Sequence, residues 1–232
     1  MQIRHLGTVR QEEYDSFLRY CGLREDELDV LNVFDTPEFG PEVLEGYDAM
    51  LVGGASEASV LEPETYTAVP YCIELLRHCL DIDLPVFASC FGFQLAVLAL
   101  GGEIIRDEKD FEMGSIPIYL RPPAKDDLLM HDVPDGFAAV AVHRERAPVC
   151  PEGATELAYT ENCCHGFKVD GKRFWAFQFH PEVDRATLVS RLTVYKAAYT
   201  DGDDHLQHVL DTAVETPESN ALMGKFVDRV LG

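Results

Sequence analysis

The chain has 232 residues, 47% of them hydrophobic, which suffices for one substantial core. Acidic residues outnumber basic ones 41 to 19, leaving a formal net charge of −22 that is spread along the chain and not gathered in a tail. A surface of that sign excludes nucleic acid and anionic membrane as partners, and no run of 18 consecutive apolar residues offers a membrane span.

In chain order, "MQIRHLG" reads as a short strand, and its early charges are unlike a signal peptide. "QEEYDSFLRYCGL" carries helical spacing at Tyr14, Phe17, Leu18 and Cys21. "LDVLNVF" (28–34) and "YDAMLVGG" (47–54) are apolar runs bounded by turn signals, as buried parallel strands are. A helix follows over 65–80, with Pro70 marking its effective start. "PVFASC" is the next strand and "FGFQLAVLAL" the next helix, closed by Gly101 and Gly102.

The middle of the chain changes to short strands: "EIIRD", "GSIPIYL", "FAAVAVHR", "TELAYT", "GFKVD" and "RFWAFQFH". Beyond Pro181 the pattern is helical in "DRATLVSRLTVYKAAY", "DHLQHVLDTAV" and "PESNALMGKFVDRVL". The alternation predicts an α/β fold, a doubly wound mostly parallel sheet with an antiparallel extension and a helical C-terminal tail over 184–232. No repeat or linker divides the sequence, so a single domain over 1–232 is expected.

Seven cysteines (Cys21, Cys72, Cys79, Cys90, Cys150, Cys163 and Cys164) form no disulfide framework and suggest a reducing, cytoplasmic setting. The "CCH" at 163–165 lacks the spacing of a zinc site, so no metal and no cofactor are expected. His5, His78, His131, His165, His205 and His208 belong to no constellation, and "DGDDHLQH" (201–208) reads as a solvated acidic turn.

Cys90 is different, because it stands where a strand turns sharply into a helix, flanked by the small Ala88 and Gly92. A helix N-terminus favours thiolate and can hold an oxyanion on its free N–H groups. The base such a thiol needs is offered by "FWAFQFHPEVD", where an apolar strand over 174–179 delivers His180 and Glu182 lies two residues on. Residues two apart on an extended chain share a face, so carboxylate and imidazole can meet. Glycine-rich backbone at "LVGGASEASV" (51–60) supplies a second oxyanion donor at another strand end.

Together these motifs resemble the class I (triad) glutamine amidotransferases: "GGASEAS", then "SCFGFQ", then "FQFHPE", in the order that family uses. "LALGGEI", "FEMGSIPI" and the stretch from "AVHRERAPV" to "AYTENC" agree, so that the resemblance spans about 45–185. It implies the flavodoxin-like glutaminase fold, with Cys90, His180 and Glu182 as catalytic triad. By the same resemblance Gly54 and Phe91 form the oxyanion hole, Gln94 binds the substrate's amino-acid end, and Glu112 and His143 lie near that pocket. The C-terminal "ETPESNALMGKFVDRVL" is similar to stand-alone members resembling the glutaminase part of GMP synthetase. The implied activity is hydrolysis of glutamine through a glutamyl thioester, releasing ammonia to a separate acceptor synthase.

Departures from the family pattern are Phe93, Ala88, Ser89, a Gly-Gly-Ala loop and "VHRER" around His143. Phe93 and the altered His143 segment suit a reshaped pocket. A γ-glutamyl peptide hydrolase with the same triad, or a non-catalytic regulatory homologue, therefore stands as an alternative.

Overall fold

The computed structural model describes residues 1–5, 7–108, 111–194 and 203–232. Its centre is a seven-stranded sheet made of β1 (Met50–Val52), β2 (Val86–Ser89), β9 (Phe174–Phe177), β8 (Cys164–Val169), β7 (Ala154–Tyr159), β4 (Glu112–Leu120) and β5 (Phe137–His143), in that spatial order. β1, β2 and β9 pair in parallel, and β8, β7, β4 and β5 continue the sheet antiparallel. The short β3 (Ile105–Arg106) and β6 (Glu145–Arg146) form a separate antiparallel pair.

The parallel strands are apolar on both sides because helices cover both faces. Val86, Ala88, Phe174 and Ala176 point into one core with α2 (Val69–Asp81) and α3 (Phe91–Ala99). Phe87, Trp175 and Phe177 point the other way, onto Phe17 and Cys21 of α1 (Gly7–Cys21) and Leu222, Met223 and Phe226 of a C-terminal helix. This α/β sandwich with an antiparallel extension and a helical tail is the architecture expected from the alternation of elements. Helices α4 (Arg185–Val194), α5 (Asp203–Thr212) and α6 (Pro217–Phe226) make up the tail, and a π turn (Val227–Leu231) ends it.

Two expected strands are absent among the described residues. Between residues 1–5 and 28–34 the only strand-type pairing described is one isolated parallel bridge, Gln2 to Asn32. The Asn32 amide reaches Gln2 Oε1 at 3.0 Å and the Arg4 carbonyl at 3.1 Å, so side-chain bonds replace a strand ladder. The acidic stretch expected as a turn enters α5 from Asp203, while residues 201–202, the end of the expected helix past 194 and the side chains of His205 and His208 lie outside the described residues.

Candidate active site

β2 ends at Ser89, and Cys90 follows with φ +48° and ψ −101°. Positive φ in a residue with a Cβ costs about 1–3 kcal/mol and persists only where surroundings impose it. Here the Cys90 N–H donates to the Phe177 carbonyl at 2.8 Å, while the Gln94 N–H donates to the Cys90 carbonyl at 3.0 Å and starts α3. Gly92 lets the elbow close: a Cβ there would lie 2.7 Å from Val52 Cγ1 and 2.9 Å from the Val52 carbonyl oxygen. The chain thus turns so tightly that the Cys90 side chain faces the C-terminal ends of β1 and β9.

β9 stops at Phe177, two residues earlier than the apolar run suggests. The Gln178 N–H then bonds the His165 carbonyl at 2.9 Å and the His180 N–H bonds the Val140 carbonyl at 2.8 Å, which anchors the chain beyond the strand. His180 Nδ1 meets Glu182 Oε1 at 2.7 Å across a turn closed by the Val183 N–H on the His180 carbonyl at 3.2 Å. The expected meeting of the two side chains therefore occurs through a turn and not along an extended strand, since Pro181 directs the chain away from the sheet.

Cys90, His180 and Glu182 are all buried. Burial disfavours a charged His180 ring. The negative charges of Cys90 and Glu182 and the hydrogen bonds they make to the ring outweigh it and hold the imidazolium well above its ordinary range. Burial likewise pushes Glu182 up, but the His180 charge and hydrogen bond bring its carboxyl down to about 2. The arrangement stores a proton on a ring that touches both a sulfur and a fixed carboxylate.

Gly54 borders the same ring. A Cβ on it would lie 2.6 Å from His180 Cε1 and 3.4 Å from Cys90 Cβ, so only glycine fits. Its neighbour Gly53 rests on Glu13, which is buried and paired with the buried Arg4 at 3.0 Å, while Arg4 Nη1 reaches Ser56 Oγ at 2.8 Å. This ion pair braces the 53–56 loop from behind. Sequence reasoning missed it because Arg4 and Glu13 lie in segments whose burial only the fold reveals.

Phe91 opens α3 beside Cys90, in the first turn, where backbone N–H groups have no intrahelical acceptor. Gln94 is buried with its amide on the Glu145 carbonyl at 2.9 Å. Phe93 is fully buried, packed 5.3 Å from Phe167 between α3 and β8. It is a core residue.

Glu112 and His143 face each other across β4 and β5 in direct register. They do not touch the triad; they meet His165 and Cys163 instead, two residues that the sequence left without partners. The C-terminal tail also contributes: Asn220 Nδ2 of α6 donates to the Pro181 carbonyl at 2.7 Å and the Val183 carbonyl at 3.1 Å, clasping the turn that carries Glu182.

Known proteins resemble this chain in sequence and in fold. Residues 32–192 match the family model for glutamine amidotransferase class-I. A GMP synthase (glutamine-hydrolyzing) of Borreliella burgdorferi is 27% identical over 71% of this chain and 31% of its own length. One of the subunits of the GMP synthase (glutamine-hydrolyzing) of Methanocaldococcus jannaschii is 36% identical over 48% of this chain and 60% of its own. The chain thus spans about a third of the first relative and three-fifths of the second. Among solved structures, a glutamine amidotransferase from Thermotoga maritima superposes with TM-score 0.78 at 22% identity, covering 99% of this chain and 96% of that one. One from Methylobacillus flagellatus gives 0.71 at 18% identity over 94% and 88%.

Proposed function

This chain belongs to the class-I glutamine amidotransferase family, and from that premise we propose that it hydrolyses the side-chain amide of glutamine and yields ammonia to a separate acceptor enzyme. The observation that carries the reading is the buried line Cys90, His180 and Glu182, with His180 Nδ1 fixed at 2.7 Å from the carboxylate and the glycine of the 53–56 loop against the same ring.

The Cys90 thiolate attacks the amide carbon, and the carbonyl oxygen becomes an oxyanion held by the N–H groups of Gly54 and Phe91, each such donor contributing about 3–4 kcal/mol. As the tetrahedral species collapses, the C–N bond breaks and the His180 imidazolium gives its proton to the departing nitrogen, leaving a glutamyl thioester and ammonia. Neutral His180 then takes a proton from water, whose oxygen attacks the thioester carbon; glutamate leaves and the thiolate–imidazolium pair is restored. Glu182 holds the ring in one tautomer and balances its charge throughout. Gln94, buried in the elbow helix with its amide on the Glu145 carbonyl, is assigned to the wall that receives the substrate's amino-acid end; Glu112 and His143, which the resemblance put there too, are engaged with His165 and Cys163 instead.

The Methanocaldococcus relative is one component of a synthase of several chains, and a second chain that uses ammonia for a nucleotide amination is the partner chemistry that this likeness supports. A diazoketone analogue of glutamine tests the assignment, because only a thiolate in a glutamine pocket displaces its nitrogen. Stoichiometric alkylation mapped to Cys90, blocked by L-glutamine, is expected. Alkylation spread over other cysteines, or unaffected by glutamine, would overturn it.

A further inference from the structure

Outside the triad, four buried side chains of mixed chemistry converge on one point. Glu112 Oε2 lies 2.6 Å from His165 Nε2, 3.1 Å from His143 Nε2 and 3.8 Å from Cys163 Sγ. The candidate donor atoms of all four residues lie within 4.8 Å of one another. We propose that Glu112, His143, Cys163 and His165 form a closed zinc site that pins β4, β5 and β8 together behind the catalytic histidine.

Three features support it. The first is the donor set: two imidazole nitrogens, one carboxylate oxygen and one sulfur suit tetrahedral zinc, with bonds of about 2.0–2.3 Å. Zn²⁺ with one carboxylate and one thiolate sums to zero charge, which a site this buried requires. The second is the strain of the hub without a metal. One carboxylate oxygen serves both rings, and His143 has no well-aligned hydrogen bond at either nitrogen, nor has His165 at Nδ1, although all three atoms are buried. Regular tetrahedral spacing would open the Glu112–His165 approach to about 3.3 Å and draw the sulfur in.

The third is the support around the hub. Asn162 Nδ2 donates to Glu112 Oε1 at 3.2 Å, fixing the carboxylate with its other oxygen turned to the cluster, as groups behind metal ligands do. Glu112 and His143 are register partners at the ends of adjacent strands, and Cys163 and His165 flank the start of β8, one strand beyond β7, where both reach the same Glu112 carboxylate oxygen. The adjacent Cys163–Cys164 pair has poor spacing for zinc by itself. It needs only one cysteine here, because His165 lies two residues on and the other two ligands, Glu112 and His143, come from earlier strands. Cys164 points elsewhere, with its sulfur 3.9 Å from the Gly166 carbonyl.

With four protein ligands the site is structural, and its tie to the triad is mechanical. The His165 ring stacks 6.4 Å from Phe179, the residue before His180, and the His165 carbonyl accepts from Gln178.

The test uses the full chain in a Cys90→Ala background, so that the triad thiol cannot bind the probe. Protein stripped with a chelator is loaded with zinc chloride or cobalt chloride in high salt and passed through a chelating resin. One zinc per chain is expected. The cobalt form should show the near-ultraviolet thiolate charge-transfer band and the intense visible bands of a tetrahedral centre. Cys163→Ala should lose the charge-transfer band and His165→Ala should lose the metal, while Cys164→Ala keeps both. Retention of the band in Cys163→Ala, or removal of all metal by the resin, overturns the proposal. Should the variants fail to fold, X-ray absorption of the zinc-loaded Cys90→Ala protein decides: one sulfur with three nitrogen or oxygen neighbours is the expected shell, and a shell without sulfur contradicts it.

Discussion

Gly54 has no room for a side chain. Its missing Cβ leaves the 2.6 Å space in which His180 Cε1 sits, so Gly54→Ala must displace either the ring or the loop. The account expects ammonia release to fall by at least about a hundredfold, the loss of one oxyanion donor, and the melting temperature to fall with it, because the displaced ring and loop are buried. Retained activity would show that Gly54 does not hold the oxyanion. Glu182 makes a pH prediction. Its folded pKa of about 2 is below the ordinary 4.5, so the carboxylate contributes stability that is present above about 4.5 and lost as pH falls through about 2. Acid melting of the parent should therefore fall more steeply over that window than melting of Glu182→Gln, and identical profiles would contradict the assignment. Cys90, His180 and Glu182 were legible in the sequence because each ends or follows an apolar strand and the motif spacing is short. Arg4 and Glu13 were not, since nothing in the sequence announces the burial that pairs them, and neither were Cys163 and His165, whose common partner Glu112 lies 51 and 53 residues earlier.

At the scale of elements, the C-terminal helix has a defined task. Asn220 holds the carbonyls of Pro181 and Val183, and Thr216 Oγ1 reaches the Val183 carbonyl at 3.4 Å, so α6 fixes the turn between His180 and Glu182 from behind. Asn220→Ala removes both of its bonds and leaves the Val183 carbonyl only the long Thr216 contact, at a cost of about 1–3 kcal/mol. The turn should loosen, and kcat should fall more than KM rises; an unchanged kcat with lowered stability would reduce α6 to a packing element. The strand and helix alternation from 47 to 102 was readable because β1, β2, α2 and α3 are apolar and sharply punctuated by glycine and proline. The N-terminal strands were misread because 28–34 carries apolar residues without a neighbouring strand long enough to pair, and a polar Asn32 takes up the bonds. β6 escaped notice because two residues, Glu145 and Arg146, carry no pattern.

Over the whole molecule, 41 acidic and 19 basic residues leave a net charge of −22 on 232 residues. Most ion pairs are exposed and contribute little each, so like-charge repulsion across the surface dominates the electrostatics in dilute buffer. The Debye length shrinks from about 10 Å at 0.1 M salt to about 3 Å at 1 M. The melting temperature should therefore climb through that range and onward, and a flat or falling profile would contradict a fold suited to high salt. The same property governs the decisive experiment, which must be run where the molecule is folded. Among the described residues no helix is long and apolar enough to cross a membrane. The measurement that reaches the central claim most directly is ammonia release from L-glutamine in high salt, by the parent chain and by Cys90→Ala. The account predicts release by the parent, alone or with its acceptor synthase, and none above background from the variant. Equal release by both, or none from the folded parent under either condition, would contradict it.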